Sequence, residues 1–161
     1  MKEMFANVSV KKKKVKRGNH NYATNLGKHL LRDTQEYYQL ADPTQNFKNK
    51  VLINMEGKTL AQSLNMFLKK HKIETRNSET VQAYQLVFSI PKEFKNDKNM
   101  IEQFQTQVLN YVNTDPKFKD NCLMLVYHGD EIQPHIQGVF VPRTYENTLN
   151  FKKFLEEVRS C

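Results

Sequence analysis

The chain has 161 residues, 39% of them hydrophobic, which suits one domain around one core. It carries 25 Lys and Arg against 17 Asp and Glu, a formal net charge of +8, and such an excess favours a polyanionic partner through counterion release. No run approaches the roughly 18 apolar residues of a membrane helix, the N-terminus lacks an apolar signal core, and two cysteines are too few for a disulfide scaffold or Cys-ligated zinc.

Met4 to Val10 reads as a short strand. Lys11, Lys12, Lys13, Lys14, Lys16 and Arg17 come immediately after it, and the run suits both a solvated arm and an arm that contacts phosphates. Residues 24–40 have helical character, with Thr24 as N-cap and Pro43 as a stop shortly beyond the last turn. Leu26, Leu30 and Tyr37 share one face of that helix; His29, Arg32 and Glu36 form the adjoining stripe. Residues 50–55 form a strand candidate. The spacing predicts helices over 59–70, with Leu60, Leu64, Phe67 and Leu68 inward, and over 99–112, with Ile101, Phe104, Val108 and Tyr111 inward. Val81 to Ile90 alternates as a strand and stops at Pro91. Cys122 to His128 and Pro134 to Val141 are buried strands, with Cys122 a small hydrophobe, and residues 147–158 form a last amphipathic helix. The final strand pair is close enough for an antiparallel hairpin. The expected fold is α+β: a mainly antiparallel sheet of about five strands with helices packed on it, as one domain over 1–161.

The segment Tyr127-His-Gly-Asp-Glu-Ile-Gln-Pro-His-Ile-Gln137 carries the chemistry. His128 ends one strand. His135 and Gln137 are two apart on the next and share a face, so a tight hairpin brings two imidazoles and an amide oxygen to one point. Asp130 and Glu131 sit in the turn beside it. A lone histidine at a strand end is ordinarily a hydrogen-bonded structural residue. Three alternating polar residues beside an acidic turn are harder to assign to packing, because burying them unpaired is costly. The set suits a divalent metal with positions left open for phosphate oxygens.

His-x-Asp-Glu-x-x-Pro-His-x-Gln resembles the third motif of the MobV/Pre plasmid mobilisation relaxases, members of the HUH endonuclease superfamily. The match holds at His128, Asp130, Glu131, Pro134 and His135. It departs at Gln137, where the family usually has His, making an HUQ variant of the metal motif. His29-Leu-Leu-Arg32 fits the first motif, His-x-x-Arg. Asn54-Met-Glu56 fits the second, Asn-Tyr-Glu-Leu, with Met55 and Gly57 in place of Tyr and Leu.

The resemblance implies an HUH relaxase or Rep-like sandwich acting on single-stranded plasmid origin DNA in the bacterial cytoplasm. It implies site- and strand-specific nicking at an origin of transfer with a covalent 5′-phosphate adduct. His128, His135 and Gln137 would hold Mn²⁺ or Mg²⁺. His29 would be the nucleophile, Arg32 a clamp on the scissile phosphate and Glu131 a support for a metal ligand or for deprotonation. Asn54, Glu56 and Asp130 would support the site, with Tyr37 and Tyr38 as rival nucleophiles. Relaxases of this family usually continue into a longer C-terminal region, so the chain would be a fragment of a mobilisation protein. Two other functions fit the same residues: a rolling-circle replication initiator with a tyrosine nucleophile, and a basic DNA-binding module whose site has decayed.

Overall fold

A computed structural model describes residues 7–33 and 41–159. Six strands form one sheet of order β1-β4-β6-β5-β3, with β2 pairing β4 beside β1. They are β1 (Asn7–Val10), β2 (Val15–Lys16), β3 (Lys50–Ile53), β4 (Val81–Ser89), β5 (Cys122–His128) and β6 (His135–Phe140). Every pairing is antiparallel. The helices are α1 (His20–Leu31), α2 (Leu60–Lys70), α3 (Lys98–Thr114), α4 (Pro116–Lys119) and α5 (Phe151–Arg159). The α+β expectation therefore holds.

Strand alternation divides the core into two layers. Met124, Val126 and Val139 join Leu26 and Leu30 of α1 and Leu60, Leu64 and Leu68 of α2. Leu125, Tyr127, Ile136 and Phe140 join Phe104 and Val108 of α3 and Phe154 of α5. Helices thus cover both faces of the sheet, and its central strands are apolar on both sides. Gly27 lets α1 approach α2 closely, since a Cβ there would lie 2.9 Å from Leu60 Cβ. Among the described residues no helix is long and apolar enough to cross a membrane.

Several boundaries differ from the sequence expectation. The first strand is described from Asn7, and α1 starts at His20 rather than Thr24. Its N-cap is Asn19, after a turn in which Gly18 takes φ 87°, a value that costs a residue without Cβ little. The helix ends at Leu31 because Arg32 adopts a left-handed cap, φ 58°. The apolar period alone carries the helix on to Leu40; Glu36, Tyr37 and Tyr38 lie outside the described residues. The basic run is not a loose arm: the Lys11 amide donates to the Gln85 carbonyl at 3.0 Å, and Val15 is buried in the α1/α2 layer. Thr59 caps α2 through its hydroxyl, which accepts from the Gln62 amide at 3.0 Å, as its position before the apolar run implies. Tyr111, expected inward on α3, is 51% exposed, its ring beside those of Phe88 and Phe118. Burial pushes the Cys122 thiol up to about 12, in keeping with a small hydrophobe.

Candidate active site

The β5–β6 hairpin places His128 directly opposite His135. His128 is fully buried. Its Nε2 lies 2.8 Å from the Leu30 carbonyl, one of the acceptors that a helix C-terminus leaves without an intrahelical partner. Nε2 is then the protonated nitrogen, and the lone pair is on Nδ1. His135 is held in the opposite sense, with Nδ1 3.1 Å from the Gln133 carbonyl, which leaves the lone pair on Nε2 when the ring is neutral. His128 Nδ1 and His135 Nε2 face each other at 3.2 Å, lone pair to lone pair when both rings are neutral. Two neutral acceptors in that relation repel unless a cation or proton lies between them. Two imidazoles each about 2.1 Å from one ion would stand roughly this far apart.

Glu131, in the turn, brings Oε2 to 3.4 Å from His135 Nε2. His128, Glu131 and His135 offer ligand atoms that all lie within 4.8 Å of one another. Gln137 lines the same hollow, of about 690 Å³, with His29, Arg32, Lys11, Ser89 and Ile132 among its other walls. The Gln137 amide donates to Gln85 Oε1, and Gln85 Nε2 donates to the Tyr22 hydroxyl at 3.3 Å.

The turn is braced from two sides. Asn49 Oδ1 accepts from the amides of Gly129, at 2.8 Å, and Asp130, at 3.2 Å. Arg32 forms a two-pronged pair with Asp130, Nε to Oδ2 at 2.8 Å and Nη2 to Oδ1 at 2.9 Å. Nη2 also reaches Glu131 Oε2 at 3.1 Å, and Nη1 donates to the His29 carbonyl at 3.1 Å. Burial raises the Asp130 carboxyl, but the Arg32 fork outweighs it and holds it below its usual range. Arg32 thus ties the end of α1 to the acidic turn, a role distinct from the phosphate clamp that its motif suggests.

His29 stands half-buried on α1 at the hollow's edge. Burial, then Arg32, Lys11 and His135, push its imidazole down to about 4. Burial pushes His128 down to about 3. Both are therefore neutral at physiological pH, as a metal ligand or a nucleophile must be.

The structure gathers His29, Arg32, His128, Asp130, Glu131, His135, Gln137 and Lys11. It does not bring Asn54 and Glu56 to them, which corrects the expectation of site support. They come after β3, which runs antiparallel to β5 and away from His128. They line a separate cleft of about 500 Å³ with His71, Lys119 and Arg143, toward the Cys122 end of β5. The basic run also divides. Lys11 and Lys13 line a second hollow that shares His29 and Gln137 with the first. Lys14 sits over the Phe151 ring and donates to the Lys12 carbonyl. Lys16 pairs with Glu79 at 2.6 Å, and Arg17 donates to the Arg76 carbonyl at 2.6 Å. Sequence reasoning missed Tyr22, Gln85, Asn49 and the Leu30 carbonyl, none of which belongs to a recognisable motif.

The sequence pattern of a family described as "plasmid recombination enzyme" (Mob_Pre) matches residues 4–160. Solved structures of the MobM relaxase domain share the fold. One, Mn-bound on plasmid pMV158 oriT DNA, superposes with a TM-score of 0.77 at 20% identity, covering 96% of this chain and 80% of that one. A second Mn-bound complex gives 0.75 at 18% identity, over 96% and 81%. A third, on a 26-nucleotide oriT DNA, gives 0.64 at 17% identity, over 97% and 82%. No curated protein sequence matches the chain.

Proposed function

The chain belongs to the Mob_Pre family of plasmid recombination enzymes, and from that premise we propose that it is a relaxase domain that nicks single-stranded plasmid origin DNA in the cytoplasm. The observation that carries this reading is the approach of His128 Nδ1 to His135 Nε2 at 3.2 Å, with Glu131 Oε2 beside them and His29, on a neighbouring helix, lining one hollow with His135. His128, His135 and Gln137 would hold Mn²⁺ or Mg²⁺, with Glu131 placed to complete the set. When bound, the ion supplies a Lewis acid for charge developing on the non-bridging phosphate oxygens.

The chain's own residues do the rest. Lys11, which shares the hollow with the acidic turn, attracts the DNA backbone into it. His29, held neutral, presents a ring nitrogen lone pair to the phosphorus. The N–P bond forms as the P–O3′ bond breaks in line, the phosphorylated imidazolium loses its other ring proton to solvent as solvent protonates the 3′ oxygen, and the 5′ phosphate stays on the protein as a phosphoramidate. Arg32 keeps Asp130 and Glu131 in place and lowers the imidazole pKa of His29.

A tyrosine nucleophile is the second reading. It is favoured by Tyr22, which lines the adjoining hollow with His29, and also keeps Tyr37 and Tyr38 as candidates. The metal-dependent reading is tested by titrating Mn²⁺ into wild type and His135→Ala and assaying cleavage of single-stranded origin oligonucleotides. His135→Ala should lose most binding and nicking; equal binding by both proteins would remove the site.

A further inference from the structure

Gln137 is the position at which the metal motif departs from its usual histidine. An amide has two chemically different ends, and only the oxygen can serve a cation. The side chain must therefore be held with one particular end toward His135. Gln137 is 5% exposed and Gln85, on the neighbouring strand β4, is 4% exposed. The Gln137 amide nitrogen donates to Gln85 Oε1. Its own Oε1 makes no hydrogen bond among the described residues, and the side chain lines the hollow with His135. Gln85 is fixed in turn, because its nitrogen donates to the Tyr22 hydroxyl. Tyr22 is steadied by Lys13, whose Nζ lies 4.1 Å from the ring centroid. A chain of polarised bonds thus runs from α1 through β4 to β6 and ends on the Gln137 amide at the site.

We propose that Gln85 is a positioning residue that orients Gln137 so that its amide oxygen, rather than its nitrogen, faces the His128–His135 pair. The inference rests on the metal-binding reading of that pair. Without an acceptor at position 85 the Gln137 amide is free to rotate, and its flipped orientation presents N–H donors to a cation. A histidine at 137 keeps a ring-nitrogen lone pair in either tautomer and never turns an NH2 group toward a cation, so it depends less on an acceptor at position 85. The dependence on Gln85 is therefore specific to the glutamine form of the motif.

The test is Mn²⁺ affinity, by calorimetry or by loss of the free-ion paramagnetic signal. It compares wild type, Gln85→Met, Gln85→Glu, Gln137→His and the double variant Gln85→Met/Gln137→His. Methionine keeps the volume and removes the hydrogen bonds. Gln85→Met should bind Mn²⁺ at least ~10-fold more weakly, in the range seen when outer partners of metal ligands are lost. Gln85→Glu keeps an acceptor for the Gln137 amide and should stay within ~3-fold of wild type. In the Gln137→His background, Gln85→Met should change affinity less than ~3-fold. A general packing defect would lower affinity equally in both backgrounds, and that result overturns the proposal. So does a folded Gln85→Met that binds as tightly as wild type. If wild type itself binds no Mn²⁺, the metal reading fails first and the proposal with it.

Discussion

His128 on β5 donates from Nε2 to the Leu30 carbonyl of α1 at 2.8 Å. The helix that carries His29 therefore also fixes the tautomer of a proposed metal ligand. The proposed nucleophile and the proposed ligand are coupled through one turn of backbone, and anything that moves α1 should disturb both.

Gly27 offers a way to move it. Gly27→Ala would put a methyl group 2.9 Å from Leu60 Cβ, and the two helices must part. Overpacking of this kind costs about 1–3 kcal/mol. We expect a lower melting temperature together with weaker Mn²⁺ binding and slower nicking, although no site residue is changed. Thermal melts and metal titrations on the same protein check this.

The Arg32–Asp130 fork should matter more singly than jointly. Both side chains are almost fully buried, at 5% and 0% exposure. Removing one partner leaves a buried charge, at a cost of about 3–5 kcal/mol. Arg32→Gln and Asp130→Asn should each destabilise strongly, and the double variant by less than the sum. Asp130 is held below its usual range, so its contribution is complete above the unfolded carboxyl value near ~3.9 and is lost as pH falls below it. Denaturant unfolding at neutral pH and along an acid series measures both effects.

Nicking should tolerate acid further than an ordinary histidine allows. A histidine nucleophile must be neutral, and His29, proposed for that role, is pushed down to about 4. The single-turnover rate at saturating metal and DNA should stay level through mild acid and fall only near that value, not near the ordinary ~6.5. Burial is the largest cause and Lys11 a lesser one, so Lys11→Gln should move that acid limb up only slightly. An acid limb centred near ~6.5 in wild type would contradict the placement of His29.

The basic run should contribute unevenly to DNA binding. Lys11 and Lys13 face the hollows, whereas Lys16 and Arg17 are bonded to Glu79 and the Arg76 carbonyl. Lys11→Gln and Lys13→Gln should each reduce the log–log salt slope by ~0.7 on single-stranded DNA, and Lys16→Gln by little. Affinities measured across a salt series decide it.

The hairpin and its histidines were legible in the sequence because a two-residue period and a short turn fix a register without help from distant chain. The α1/α2 layer was legible for the same reason, as local periodicity. The end of α1 was not. Arg32 leaves the helix for a fork with Asp130, a contact between residues 98 apart, and no local pattern reports it. Asn54 and Glu56 matched a motif in order and spacing, but order along the chain says nothing about which way β3 runs beside β5. The Gln85–Gln137 contact joins neighbouring strands β4 and β6, a pairing set by the sheet order and by no local pattern.

Mapping the covalent DNA adduct decides whether His29 is the residue that attacks the phosphate. Wild type is incubated with Mn²⁺ and a single-stranded origin oligonucleotide, the adduct is digested, and the linked residue is located by mass spectrometry before and after mild acid. The expected result is a phosphoramidate on His29 that mild acid releases, and no adduct with His29→Ala despite retained DNA binding. An acid-stable adduct on Tyr22, Tyr37 or Tyr38 would contradict it.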